Sequence, residues 1–149
     1  MGSYHDLKMP VKPDIMTVAK SVSGGITPVS GIVCDNHIMD VIVPGSHGST
    51  YGGNPLGMAV AKRAIEVLVE EKMVENSAKM GVYLLNKVRQ LKSPLIETTR
   101  GRGLFVGIQF HKGFGVTAND LASMLMKNGF ITKATHAMTL RLSPALTIN

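Results

Sequence analysis

The sequence predicts a mixed α/β fold, and three observations carry that expectation. Short apolar runs of strand length recur along the chain, two long stretches repeat apolar residues at helical spacing, and glycine, proline and asparagine punctuate the joins. A chain of 149 residues, 44% of them apolar, is long enough to bury a core.

The elements follow in order. "PDIMTVA" (13–19) reads as a short buried strand, after which Ser21, Ser23, Gly24 and Gly25 let the backbone turn sharply. "TPVSGIVCD" (27–35) reads as a second strand and "NHIMDVI" (36–42) as a short helix. Residues 43–55 form a loop rich in glycine and hydroxyls. Asn54 is a good N-cap, and Pro55 suits the first helical position, where its missing N–H costs nothing. Leu56, Val60, Ala64, Val67 and Leu68 recur at helical spacing, predicting a helix over 55–72. A second helix spans about 74–92, with Leu84, Leu85, Val88 and Leu91 on one face, and Pro94 stops it. "LIETT" (95–99) and "LFVGIQF" (104–110) flank "RGRG" as a two-stranded unit. Residues 117–129 carry Thr117 and Asp120 at capping-box spacing, with Gly129 as the stop. The remainder gives two more short strands.

Composition narrows the function classes. Sixteen basic against ten acidic residues give a net charge of +6, but the cations are scattered and only three Tyr and four Phe could stack on bases. Nucleic acid is therefore not an expected partner. No apolar run approaches the ~18 residues that a bilayer requires, so no membrane partner is expected either. Residues 1–12 lack the apolar core of a secretory signal and the arginine-rich pattern of an organellar presequence. The single cysteine, Cys34, suits a reducing compartment and reads as a small buried hydrophobe. The five histidines lack ligand spacing, so no metal is expected. Met73 and Met80 read as helix-face filler, and Arg100 and Arg102 as a solvated turn or, less readily, a contact for an anion.

Three stretches carry chemistry. Lys20 ends an apolar strand, where an ammonium is either a snorkelling surface group or a chemical one. "GSHGSTYGGNP" combines close-approach glycines, the hydroxyls of Ser49 and Thr50, and a following helix N-terminus. It reads as an oxyanion cradle or as an ordinary glycine-rich connector. Arg141, set among alternating apolar residues in "MTLRLSP", is a carboxylate clamp or a residue on the wet face of a strand. A lysine, an anion cradle and a carboxylate clamp are together what an amine-transfer site built on pyridoxal 5′-phosphate requires.

At this point the sequence resembles a family. "PDIMTVAKSVSGG" is similar to the lysine-bearing segment of the class III aminotransferases, and "PGSHGSTYGGNPLGMAVA" to their phosphate loop and following helix. "KATHAMTLRLSPALTI" and "SGGITPVSG" are similar to the branch that transaminates ornithine, although the acetylornithine branch shares much of the loop motif. "TTRGRGLFVGI" resembles the family's small-domain strand pair, and the likeness covers essentially residues 13–149. It implies the fold-type I architecture of pyridoxal-phosphate transferases. On that reading residues 1–54 are the end of the large cofactor domain, 55–92 connecting helices, and 93–149 the small α/β domain.

The resemblance further implies that Lys20 binds the cofactor aldehyde and shuttles a proton, that Ser49 and Thr50 bind its phosphate, and that Arg141 binds an α-carboxylate. The loop would reach across a homodimer into the neighbouring subunit's site. The implied substrates are an amino acid and a 2-oxo acid: the δ-amino group of ornithine moves to 2-oxoglutarate. Thr27 stands where the ornithine branch often has an aromatic. Members of the family carry a long segment before the lysine and a final helix beyond the position of Asn149. That earlier segment supplies the ring-stacking aromatic, a glycine-rich phosphate turn and the aspartate on the pyridine nitrogen. Asp14 and Asp35 do not match that aspartate's motif. The chain is therefore expected to be a C-terminal portion, inactive alone, with cytoplasm and mitochondrial matrix both open as compartments. A non-catalytic module that pairs with a full-length subunit is the alternative.

Overall fold

The computed structural model describes residues 12–149. Residues 1–11, including His5, Lys8 and most of the segment weighed as a leader, lie outside the described residues. The chain divides into two compact units, one up to Val67 and the other Leu68–Asn149.

In the first unit, β1 (Ile15–Val18) pairs antiparallel with β2 (Gly31–Cys34), Ile15 opposite Cys34 and Val18 opposite Gly31. A 3-10 turn, Lys20–Ser23, follows β1. The second strand is shorter than the 27–35 expected, because Thr27 is tied back to the turn instead of entering the ladder. The Ser23 hydroxyl, fully buried, donates to the Thr27 carbonyl and accepts from the Thr27 N–H at 3.4 Å. Pro28 has no N–H to give to a ladder. Helix α1 (Asn36–Met39) loosens into turns before Val43, whose backbone is restricted by Pro44. Helix α2 begins at Pro55 as expected and ends at Glu70. Gly57 and Ala61 are its buried residues, whereas Leu56, expected on the inner face, is 73% exposed. Cys34 is half-buried rather than buried.

The second unit, which begins within α2, contains helix α3 (Met73–Gln90) and a four-stranded antiparallel sheet. Its strands β3 (Ile96–Arg102), β4 (Phe105–Phe110), β5 (Lys133–His136) and β6 (Thr139–Leu142) lie in the order β3-β4-β6-β5. Helix α4 (Ala118–Lys127) connects β4 to the β5–β6 pair. Strand β4 alternates cleanly: Val106, Ile108 and Phe110 are buried and join Val88, Ala118 and Leu140 in one core, against which Leu84, Leu85, Leu121 and Leu125 pack. This period of two is what a half-buried strand produces.

Three expectations are corrected here. "RGRG" is not a turn: β3 runs through Arg102, and a two-residue turn at Gly103–Leu104 suffices, with Gly103 at φ 52° as a type II′ hairpin requires. Arg100 consequently sits in a strand and donates to Gln109 Oε1 at 2.8 Å. Helix α3 ends at Gln90, before Pro94 can act, because Lys92 turns left-handed at φ 46°. Leu91 thus lies beyond the helix and is 67% exposed.

The ends of α4 match the reading closely. The Thr117 hydroxyl accepts from the Asp120 N–H at 3.2 Å, and the Asp120 carboxylate accepts from the Thr117 N–H at 2.8 Å and hydroxyl at 2.6 Å. Those two hydrogen bonds hold the Asp120 carboxyl below its ordinary 3.8, the hydroxyl contributing most. At the other end Gly129 is left-handed, and the N–H groups of Gly129 and Phe130 reach the carbonyls of Met126 and Leu125. That pattern is a Schellman stop.

Candidate functional site

Lys20 follows extended Ala19 directly and adopts φ 57°. A side chain with a Cβ resists that left-handed region, at a cost of about 1 kcal/mol or more, so the surrounding chain must hold it there. The turn supplies the restraint. Gly24 accepts its own left-handed φ of 67° and donates to the Ser21 carbonyl at 3.0 Å, while Ser23 locks Thr27. A Cβ on Gly24 would lie 3.6 Å from Ala64 Cβ, an ordinary contact, so this turn sits against α2. Lys20 itself is exposed.

The loop before α2 is organised by its own polar groups. Ser46 Oγ donates to the Val43 carbonyl at 2.7 Å. Ser49 Oγ accepts from the Gly52 N–H at 2.9 Å, which leaves the hydroxyl proton available to donate. Gly52 is required there, since a Cβ would approach Ser49 Cβ to 2.8 Å. Asn54 caps the helix as expected: its Oδ1 accepts from the Gly57 N–H at 2.7 Å, and its Nδ2 donates to the Tyr51 carbonyl at 2.9 Å. Ser49 and Thr50 are both exposed just ahead of the helix N-terminus, where unpaired N–H groups favour an anion. His47 is exposed in the same loop. Lys20, Ser49 and Thr50 thus belong to one unit, with no hydrogen bond among the three.

Arg141 belongs to the second unit. It lies on β6 opposite Gly107 of β4 and Lys133 of β5. Its carbonyl accepts from Thr132 Oγ1 at 2.5 Å. Its Nε is enclosed without a hydrogen-bond partner among the described residues, the only buried side-chain polar atom there in that condition. The guanidinium Cζ sits 5.6 Å from the centre of the Phe105 ring. An enclosed, unpaired N–H destabilises the fold by roughly 1–3 kcal/mol, so packing alone does not account for an arginine at this position.

Two residues of this arrangement escaped the sequence reading. Ser23 was read only as a small turn residue, and no local signal marks it as the buried staple of the Lys20 turn. Phe105 was read as part of an apolar run. The alternation of Val106, Ile108 and Phe110 was the available signal that Phe105 faces the other side of the sheet. Among the described residues no group of three or more His, Cys, Asp or Glu side chains could hold a metal ion. Asp35 is engaged at the surface by Lys12 at 3.0 Å. No described helix is long and apolar enough to cross a membrane.

Comparison with known proteins gives concordant results. The probable mitochondrial ornithine aminotransferase of Caenorhabditis elegans is 46% identical over 149 residues, all of this chain and 34% of that protein. The solved ornithine aminotransferase of Toxoplasma gondii, crystallised with oxidised glutathione and described as showing partial occupancy of PLP at its active site, superposes with a TM-score of 0.88 at 37% identity. That match covers 93% of this chain and 33% of the solved one. The acetylornithine aminotransferase of Elizabethkingia anophelis gives a TM-score of 0.87 at 42% identity, over 93% of this chain and 37% of that one. The chain therefore spans about a third of the length of the relatives it matches. The mixed α/β architecture is theirs, and residues 3–149 match the family described as Aminotransferase class-III, to which this chain belongs.

Proposed function

We propose that these residues form the lysine-bearing and carboxylate-binding portion of a pyridoxal-phosphate-dependent ornithine aminotransferase. The observation that carries the reading is Lys20, a lysine held in left-handed backbone at the end of β1 by a turn whose staple, Ser23, is fully buried. The residues present fit the cofactor: an exposed amine, and a hydroxyl-bearing loop running into a helix N-terminus. When bound, pyridoxal phosphate supplies an electron-withdrawing ring that accepts the electron pair released at the substrate's amine-bearing carbon.

Lys20 Nζ would hold the cofactor aldehyde and would take the proton from the substrate's amine-bearing carbon as a general base. The Ser49 hydroxyl, whose proton is free to donate, and the Thr50 hydroxyl would bind the cofactor phosphate, the loop reaching across a homodimer into the neighbouring subunit's site. Arg141 presents Nη1 and Nη2 to the carboxylate of the amino acid or the 2-oxo acid. Residues up to 54 serve as the end of the cofactor domain and 93–149 as the small domain. Ile15, Ile32 and Val33, all about half exposed on β1 and β2, are the surface that further strands of such a cofactor domain would cover.

The test uses a complete polypeptide carrying these residues. Lys20→Ala abolishes transfer of the ornithine δ-amino group to 2-oxoglutarate, and borohydride reduction attaches the cofactor at Lys20 in the unsubstituted protein only. The 149 residues alone are labelled poorly. Undiminished transamination by Lys20→Ala would refute the reading. Faster turnover of N-acetylornithine than of ornithine would instead favour the acetylornithine branch, which the Elizabethkingia structure represents at 42% identity.

A further inference from the structure

We infer that Phe105 is a positioning residue for Arg141, fixing the guanidinium so that its Nη1–Nη2 end alone meets a carboxylate. The inference rests on the carboxylate-binding reading of Arg141 given above and adds to it the device that orients the group.

Register brings the two together. Gly107 stands directly opposite Arg141, and Phe105 is two residues before it on β4, so both residues lie on the face of the sheet turned away from Val106 and Ile108. On that face Phe105 has no part in the core and is 62% exposed. Its ring centre lies 5.6 Å from Arg141 Cζ, within the range where a guanidinium is attracted to an aromatic face. Gly107 contributes no side chain, which leaves the space opposite Arg141 open for its long side chain to lie along the sheet towards the ring.

Neighbouring charges sharpen the point. Lys133 is the cross-strand partner of Arg141 on β5, and Arg100 is the partner of Gly107 on β3, so one row across four strands carries three cations. Directly opposed like charges destabilise a sheet. Arg100 is engaged by Gln109, and no acidic side chain among the described residues pairs with Arg141 or Lys133. A floppy arginine in that row would swing to solvent. The ring beside Cζ holds it down, and because Nε is enclosed the terminal nitrogens are left as the edge that meets a carboxylate. End-on approach follows, because a carboxylate gripping Nε and one Nη side-on has no access to Nε.

The experiment follows the arginine side-chain N–H signals of a complete polypeptide carrying these residues by nuclear magnetic resonance during titration with glutarate, a dicarboxylate with no keto group to react. Arg141→Lys identifies the Arg141 signals by their loss. Glutarate shifts the Nη signals of Arg141 more than its Nε–H. Phe105→Leu removes the ring-current displacement of Nε–H and weakens glutarate binding about three- to tenfold, the range expected from loss of one cation–π contact. Phe105→Met does the same as a second ring-free variant, and Phe105→Tyr restores both the displacement and the affinity. If glutarate leaves the Arg141 signals unmoved in the unsubstituted chain, the carboxylate role of Arg141 fails and this inference fails with it. If glutarate moves them and the ring-free variants bind as tightly as the unsubstituted chain, Phe105 orients nothing, while the carboxylate role stands.

Discussion

Among the described residues up to Val67, Ala61 is the single buried apolar side chain, whereas Leu68–Asn149 encloses Val88, Leu104, Val106, Ile108, Phe110, Ala118 and Leu140. The first unit nevertheless holds three of the four residues assigned chemical roles, Lys20, Ser49 and Thr50, all exposed. Its local order comes from polar staples and caps: Ser23 on Thr27, Ser49 on Gly52, Asn54 on Gly57. The second unit is ordered by a hydrophobic core and holds Arg141 on a paired strand. Side chains that bind small anions sit on loops because loops can present N–H and O–H groups outward, and a loop needs a scaffold beneath it. In this chain the two units are ordered by different means, polar staples in one and an apolar core in the other, and their stabilities should respond to different substitutions.

The largest difference is expected from apolar truncation. Phe110→Ala should destabilise the second unit by about 3–5 kcal/mol, because it removes a buried ring and leaves a cavity next to Val88 and Leu140. Ile32→Ala on β2, 45% exposed, should change stability by less than about 0.5 kcal/mol. Urea unfolding monitored by residue-resolved hydrogen exchange separates the two units. Equal losses from the two substitutions would show that the first unit has a core of its own and would break the comparison.

A second substitution probes how tightly the second unit is assembled. Gly81 of α3 packs on the hairpin turn so closely that a Cβ would fall 2.1 Å from the Gly103 carbonyl oxygen. The Leu104 N–H donates to Ser77 Oγ at 3.1 Å in the same contact. Gly81→Ala must therefore push the helix from the turn, and a loss of about 1–3 kcal/mol in denaturant unfolding is expected. Tolerance of the methyl group would mean that α3 and the turn slide freely.

What the sequence revealed follows the same division. Features written within four or five residues were legible, namely the Thr117–Asp120 box, the Gly129 stop and the Asn54–Pro55 helix start, because their hydrogen bonds close locally. The helical spacing of Leu56, Val60 and Ala64 gave a face but not its covering, and Leu56 proved exposed. "RGRG" was misread because glycine marks turns, while Gly101 serves instead to let β3 pass close to the Phe105 carbonyl, where a Cβ would approach to 2.4 Å. Lys20 was visible as an oddity at a strand end, but its left-handed backbone was not. The stacking of Arg141 on Phe105 depends on β6 pairing with β4 after an intervening helix, and no local pattern encodes that register.

The smallest expected effect lies at the α4 cap, where the second unit uses the polar stapling typical of the first. Thr117→Ala should destabilise the unit by about 1 kcal/mol, since it leaves the Asp120 N–H unpaired. Asp120 adds a pH dependence whose sign is fixed by its lowered pKa. In the unfolded chain the carboxyl titrates near its ordinary 3.8, and in the native unit lower, so the unfolded state binds the proton first as acid is added. The contribution of Asp120 is complete above 3.8 and is lost as pH falls through the native value. Stability curves of the unsubstituted chain and Asp120→Asn should thus differ at neutral pH and converge below that window. A difference that persists unchanged in strong acid would show that the carboxylate charge has no part in the cap, leaving only the Thr117 hydroxyl to hold the helix start.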